Sequence, residues 1–230
     1  MKIPFWLETS EPEIFPDTRY ALDEPDGLLA LGGDLSLIRL TSAYQKGIFP
    51  WYTSGQPIMW WSPNPRSVLI PENVHISHSL RKTLKKNWFS VTFDQDFSTV
   101  ISKCSTARSE GTWITLEMQQ AYIELHQAGL AHSVEVWADN KLVGGLYGIA
   151  LDKVFFGESM FSTMNDVSKI ALVKLCQKLS DDGFKIIDCQ VHSEHLTSLG
   201  AELITRTKFN NLLQLNCQLT SDSNWRVNNT

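Results

Sequence analysis

At 230 residues, 43% hydrophobic and 10% aromatic, the chain has enough apolar side chains to bury a substantial core and falls outside the disordered class. Its four cysteines stand apart at 104, 176, 189 and 217 with no CxxC pair, which argues against a zinc site or a disulfide framework and fits a reducing compartment. The net charge of −5 speaks against a generally basic nucleic-acid binder, yet from Arg66 to Lys86 five Lys or Arg face the single acid Glu72, net +4, leaving −9 elsewhere.

The N-terminal MKIPFWLETS carries one Lys and no apolar h-region, and no later apolar run approaches the roughly 18 residues of a membrane span. The expectation is a soluble, cytoplasmic protein with no membrane partner. Residues 1–65, rich in turn residues and aromatics, read as a small N-terminal domain. Within it Asp34 or Ser36 caps a helix running to about Lys46, with Gly47 as its stop. Pro57, Pro63 and Pro65 break any long element after it. Residues 66–230 read as a larger domain. SVLI and FSVTF predict strands flanking a helix that starts near Ser77 and turns Leu80 and Leu84 inward. A helix over about 95–108 aligns Phe97, Val100, Ile101 and Cys104. Another follows Thr115, with Ala121, Tyr122 and Leu125 on one face and Gly129 as its stop. The stretch from His132 to Phe161 alternates and turns at Asp139-Asn140 and Asp152, an antiparallel meander. A long amphipathic helix over about 165–182, stopped by Gly183, leads to the strand KIIDCQV and a short helix ending at SLG.

A meander, a helix, a further strand and a short helix suggest an α+β acyltransferase of the GNAT type. Such a fold has a mixed, largely antiparallel sheet that splays into a substrate cleft. Asp188 and Gln190, two apart on a strand, project to one face beside Ile186, Ile187 and Val191. A carboxylate and an amide there suit an incoming amine, and equally a core pair that satisfies neighbouring donors. Glu158 in FFGESMF is a carboxylate in an apolar strand, costly unless paired, which marks either a site or a structural ion pair. Trp51, after Phe49-Pro50, and Trp113, in EGTWIT, occupy turn-rich positions where an indole either stacks on a nucleobase or plugs a domain interface. LRKTLKK exposes Arg81, Lys82, Lys85 and Lys86 for phosphate contact or as a solvated face. MFSTMNDVSK, where a GNAT acetyltransferase carries a glycine-rich pyrophosphate loop, has no glycine, which argues against CoA as donor. With no P-loop and no evident nucleophilic triad, direct attack of an amine on an already activated ester is the expected chemistry.

GLLALGGDLS (27–36), AYQKGIFPW (43–51), WWSPNPR (60–66), EGTWIT (110–115), HSVEVW (132–137), LVGGLYG (142–148), GESMFS (157–162), IDCQV (187–191) and SLGAELITR (198–206) are collinear over most of the chain. Together they resemble the leucyl/phenylalanyl-tRNA–protein transferase family. One departure is Thr205, where that family usually has proline. The resemblance implies a monomeric cytoplasmic aminoacyltransferase without cofactor or metal. It would move Leu or Phe, and Met less well, from aminoacyl-tRNA to the N-terminal amine of proteins that start with Arg or Lys, feeding the N-degron pathway. Trp51 and Trp113 would flank the terminal adenosine and the aminoacyl group. Glu158 would lie in a donor pocket walled by Leu146, Phe155 and Ile187. Asp188 and Gln190 would hold the acceptor amine; Asp188 through Gln190, the donor's own α-amino group or a water would take its proton. Arg66, Arg81, Lys82, Lys85 and Lys86 would meet acceptor-stem phosphates. A CoA-dependent N-acetyltransferase and a noncatalytic adaptor that binds tRNA or basic N-termini are the alternatives.

Overall fold

The computed structural model describes residues 3–86, 88–107, 112–217 and Trp225. The chain opens with β1 (Phe5–Leu7), β2 (Leu28–Gly32), α1 (Leu37–Gln45), β3 (Phe49–Pro50) and β4 (Met59–Trp61), which build a small sheet in the order β1-β2-β4-β3. α1 begins where expected. The Ser36 hydroxyl accepts from the Arg39 amide at 3.3 Å, while Asp34 accepts from the Ser36 amide at 2.8 Å. Gly47 ends the helix in the left-handed region at φ +72° and turns the chain into β3.

β5 (Arg66–Leu69), α2 (His78–Lys85), β6 (Ser90–Phe93), α3 (Phe97–Thr106) and α4 (Leu116–Gln127) follow. Next come β7 (Ala131–Ala138), β8 (Lys141–Leu151), β9 (Val154–Ser162), α5 (Val167–Asp181), β10 (Ile186–Gln190), α6 (Glu194–Thr197), β11 (Glu202–Ile204) and α7 (Arg206–Asn216). The second sheet runs β11-β5-β10-β9-β8-β7-β6, and of its pairings only β10 with β9 is parallel. The fold is therefore α+β, with the GNAT-type succession of meander, helix and parallel strand that the sequence suggests.

Alternation along β8 divides the core. Tyr147, Ile149 and Leu151 pack on the face covered by α3, α4 and the small sheet, whereas Leu146 and Ala150 face α5. The expected boundary near residue 65 falls between the last strand of the small sheet and the first of the large one. The hydrophobic core nonetheless runs across it, joining Tyr44 and Trp60 to Phe97, Tyr122 and Phe156.

The strands of the small sheet, β11 and α7 are additions to the sequence reading. β1 is three residues long with Phe5 and Trp6 exposed, so it carries no alternation. Thr205, the departure from the family pattern, caps α7 by accepting from the Lys208 amide at 3.2 Å. The end of the helix expected to reach 108, the first two residues of EGTWIT, and the chain after 217 apart from Trp225 lie outside the described residues. Among the described residues no helix is long and apolar enough to cross a membrane.

β10 and β9 pair only from Ile186 opposite Val154 to Asp188 opposite Phe156. β9 continues to Ser162 on the arm of β8, while β10 bulges after Asp188 against β5. Gln190 has φ +63° at that bulge. The strands part there, and the opening between them is a cleft.

Candidate active site

The cleft has a volume of about 320 Å³ and opens between the arms of β9 and β10. Its lining includes Phe49, Pro50 and Trp51 from the small layer and Trp113 ahead of α4. Trp51 is 42% exposed and lies tilted against Trp61 at 5.9 Å, with the Trp61 indole N–H donating to the Trp51 carbonyl at 2.7 Å. Trp113 is buried. One end of the cleft is apolar: Leu146, Phe155 and Ile187 are joined there by Met160 and by Leu172 and Leu175 of α5.

The polar end centres on Glu158. The Tyr44 hydroxyl donates to its Oε1 at 2.7 Å, the Tyr122 hydroxyl to its Oε2 at 2.9 Å, and the Gln190 amide Nε2 to Oε1 at 2.9 Å. The two tyrosine hydroxyls also touch each other. Burial penalises the charged form and pushes the Glu158 carboxyl up to about 7, against the lowering effect of the three donors; the nearby Asp188 charge adds to the rise. Burial, with the Glu158 charge second, holds both tyrosines well above their ordinary range, so they remain donors at neutral pH. Burial likewise pushes the Cys189 thiol up, which leaves little thiolate to act as a nucleophile.

Asp188 is fully buried, and its carboxylate is already engaged. Arg66 donates from Nε to Oδ1 at 2.8 Å and from Nη2 to Oδ2 at 2.6 Å, and the Gln190 backbone amide donates to Oδ1 at 2.9 Å. Arg66 also donates to the Gly47 carbonyl at 3.1 Å and lies between the rings of Phe49 and Phe209. Gln190 is thus held at both ends, its backbone by Asp188 and its side chain by Glu158. Among the described residues its Oε1 has no protein donor.

Eight residues expected at a site, Trp51, Trp113, Leu146, Phe155, Glu158, Ile187, Asp188 and Gln190, line this one cleft. Arg66 departs from expectation. At 1% exposure, clasping a buried carboxylate, its guanidinium cannot reach a phosphate. Arg81, Lys82, Lys85 and Lys86 are exposed on α2 and its C-terminal cap, away from the cleft lining, with buried Leu80 anchoring the helix against α5. Tyr44 and the polar role of Tyr122 lie outside the expected site residues, since helical periodicity assigns Tyr122 only to an inward face. A hydroxyl on that apolar face was the available signal. At the start of α5, where a CoA loop would cradle phosphates, stands Asp166 at φ +65°, bonded by Lys169 at 2.9 Å.

Two family models match the chain, the leucyl/phenylalanyl-tRNA protein transferase model over residues 68–214 and its N-terminal domain model over 33–64. The chain is 56% identical over 214 residues to the leucyl/phenylalanyl-tRNA–protein transferase of Hydrogenovibrio crunogenus, covering 92% of this chain and 83% of that one. It is 53% identical over 213 residues to the enzyme of that name from Azotobacter vinelandii, covering 92% and 94%. Among solved structures, an aminoglycoside acetyltransferase from an uncultured soil metagenomic sample, in complex with sisomicin, is 13% identical with a TM-score of 0.40, covering 49% of this chain and 84% of that one. On the family models and the curated relatives, this chain belongs to the leucyl/phenylalanyl-tRNA–protein transferase family of aminoacyltransferases.

Proposed function

We propose that this protein moves Leu or Phe, and Met less readily, from aminoacyl-tRNA to the N-terminal amine of proteins that begin with Arg or Lys. It acts as a cytoplasmic monomer that marks its products for the N-degron pathway. The observation that carries this reading is the junction, in one cleft lined also by Trp51 and Trp113, of an apolar pocket with the Glu158–Gln190 hydrogen-bonded pair. The pocket at Leu146, Phe155 and Ile187 suits an apolar aminoacyl side chain. Trp51 and Trp113 offer faces for the terminal adenosine.

The donor ester is already activated, so placing the amine against its carbonyl provides most of the rate. Gln190 Oε1 accepts from the acceptor amine and aims its lone pair; Asp188, pinned by Arg66, fixes the bulge that presents Gln190. Asp188 is in this reading a positioning residue rather than a base. The amine arrives as an ammonium, and ionised Glu158, whose carboxyl titrates at about 7, is the nearby group matched to removing a proton at neutral pH. The amine nitrogen then bonds to the ester carbonyl carbon and the bond to the ribose oxygen breaks. That oxygen takes the second proton the nitrogen sheds, so no covalent enzyme intermediate forms. The α2 cations lie where a polyanion could rest without base readout.

Purified protein, leucyl-tRNA and an Arg-initiated peptide should yield a Leu-extended peptide by mass spectrometry. No extension while both substrates demonstrably bind would refute the reading in favour of an adaptor. Extension with an acetyl group from acetyl-CoA instead would refute it in favour of an acetyltransferase.

A further inference from the structure

Trp225 is the one described residue beyond 217, and it is 5% exposed. Its indole stacks on His132, with ring centroids 4.2 Å apart and planes at 15°. The indole N–H donates to Asp94 Oδ2 at 2.8 Å, and the same oxygen lies 2.9 Å from His132 Nδ1. Lys178 of α5 places its ammonium 4.6 Å from the indole centroid. A residue from the far end of the chain is therefore fixed behind the large sheet by a stack, a charge-assisted hydrogen bond and a cation–π contact.

The indole also stands behind Phe155, with centroids 6.0 Å apart and planes at 25°. Phe155 lines the cleft; Trp225 and His132 do not. On another flank Phe155 presses on the backbone of β8. A Cβ added at Gly148 would come within 2.5 Å of its Cε1 and 2.7 Å of its Cζ. The ring thus meets main chain on one side and the indole on another, and it also lines the cleft.

We infer that Trp225 sets the depth of the apolar donor pocket by backing Phe155, and so determines which aminoacyl side chain is accepted. The inference rests on the proposed donor site. Packed interiors hold a side chain in place only while every flank is filled. Without the indole, Phe155 retreats into the vacated volume and the pocket deepens. A bulky donor side chain gains more from that space than a small one. One methylene in an apolar pocket is commonly worth a factor of 10 or more in kcat/KM, so the shift should be readable.

The test is the ratio of kcat/KM for phenylalanyl-tRNA to that for leucyl-tRNA, measured on full-length Trp225→Ala, Trp225→Leu and Trp225→Phe, with circular dichroism to establish folding. The ratio should rise by about tenfold in W225A, less in W225L and about twofold in W225F. If the smaller replacements do not fold, the shift in W225F carries the result. A folded variant that loses activity equally toward both donors, or three variants that all fail to fold, would make Trp225 purely structural and overturn the inference. Wild-type protein that transfers neither amino acid would instead refute the donor-site reading beneath it.

Discussion

Arg66 and Asp188, 122 residues apart in the chain, meet through two parallel hydrogen bonds of 2.8 and 2.6 Å with both side chains at 1% exposure or less. A guanidinium–carboxylate pair removed from water in this way regains its hydration cost through bidentate geometry and its remaining bonds, here Gly47 O and Gln190 N. Removing one partner leaves an uncompensated buried charge. Arg66→Met or Asp188→Ala should each lower unfolding stability by about 3–5 kcal/mol in urea titrations. The double variant should recover part of that loss. Asp188→Ala should also cut kcat for transfer while leaving aminoacyl-tRNA binding in place, because the bulge that aims Gln190 slackens. Unchanged turnover would remove Asp188 from the mechanism.

Glu158 gives the protein a pH signature whose sign is fixed. Its folded carboxyl titrates at about 7 against an ordinary 4.5, so the folded state holds the proton more tightly than the unfolded chain. The stability tied to that proton is full below about 4.5, declines as pH rises through about 7, and is absent above; the difference amounts to about 3 kcal/mol. Glu158→Gln fits the same space without a charge to desolvate. Thermal melts at pH 5 and pH 8 should show a smaller drop in Tm for the variant than for the parent. Transfer activity should fall in the variant, and the acid limb of the parent's pH–rate profile near 7 should disappear.

Trp51 and Trp113 separate binding from stability. Trp51 is 42% exposed, so Trp51→Ala should barely move Tm; it should still raise the donor KM by about 5- to 100-fold if a base stacks there. Trp113→Ala should do both, because that ring is buried against the core. Equilibrium binding of aminoacyl-tRNA beside melting curves checks the split. An unchanged KM in both variants would move the adenosine elsewhere.

The exposed cations of α2 predict an ionic-strength effect. Replacing Lys82, Lys85 and Lys86 with Ala should weaken donor binding and reduce the slope of log affinity against log salt by about 2. Filter binding at several salt concentrations measures it directly. Because Leu80, the helix's buried anchor, is untouched, the fold should persist.

Local signals made much of the architecture readable. The caps at Ser36, Ser77 and Thr115 and the stops at Gly47, Gly129 and Gly183 are chemistry acting within a few residues, and the helices begin and end close to them. The meander declared itself by alternation and by Asp139-Asn140, both of which adopt positive φ. The short strands of the small sheet exist only because tertiary packing selects them, so no periodicity announces them. Within the site, apolar walls and the acid at 158 could be read because burial leaves a pattern in flanking residues. The partnership of Arg66 with Asp188 could not, since nothing in a sequence distinguishes an arginine that faces phosphate from one that crosses a sheet. The same holds for Tyr44, whose hydroxyl reaches Glu158 across 114 positions.

The core that crosses from the small sheet into the large one bears on how this enzyme can be cut or recombined. A fragment beginning at Arg66 would keep every strand of the large sheet. It would also strip Glu158 of the Tyr44 donor, deprive Arg66 of Gly47 O and the Phe49 ring, and take Trp51 from the cleft. The N-terminal layer is a wall of the cleft, and a chimera that exchanges it would exchange part of the cleft's lining with it.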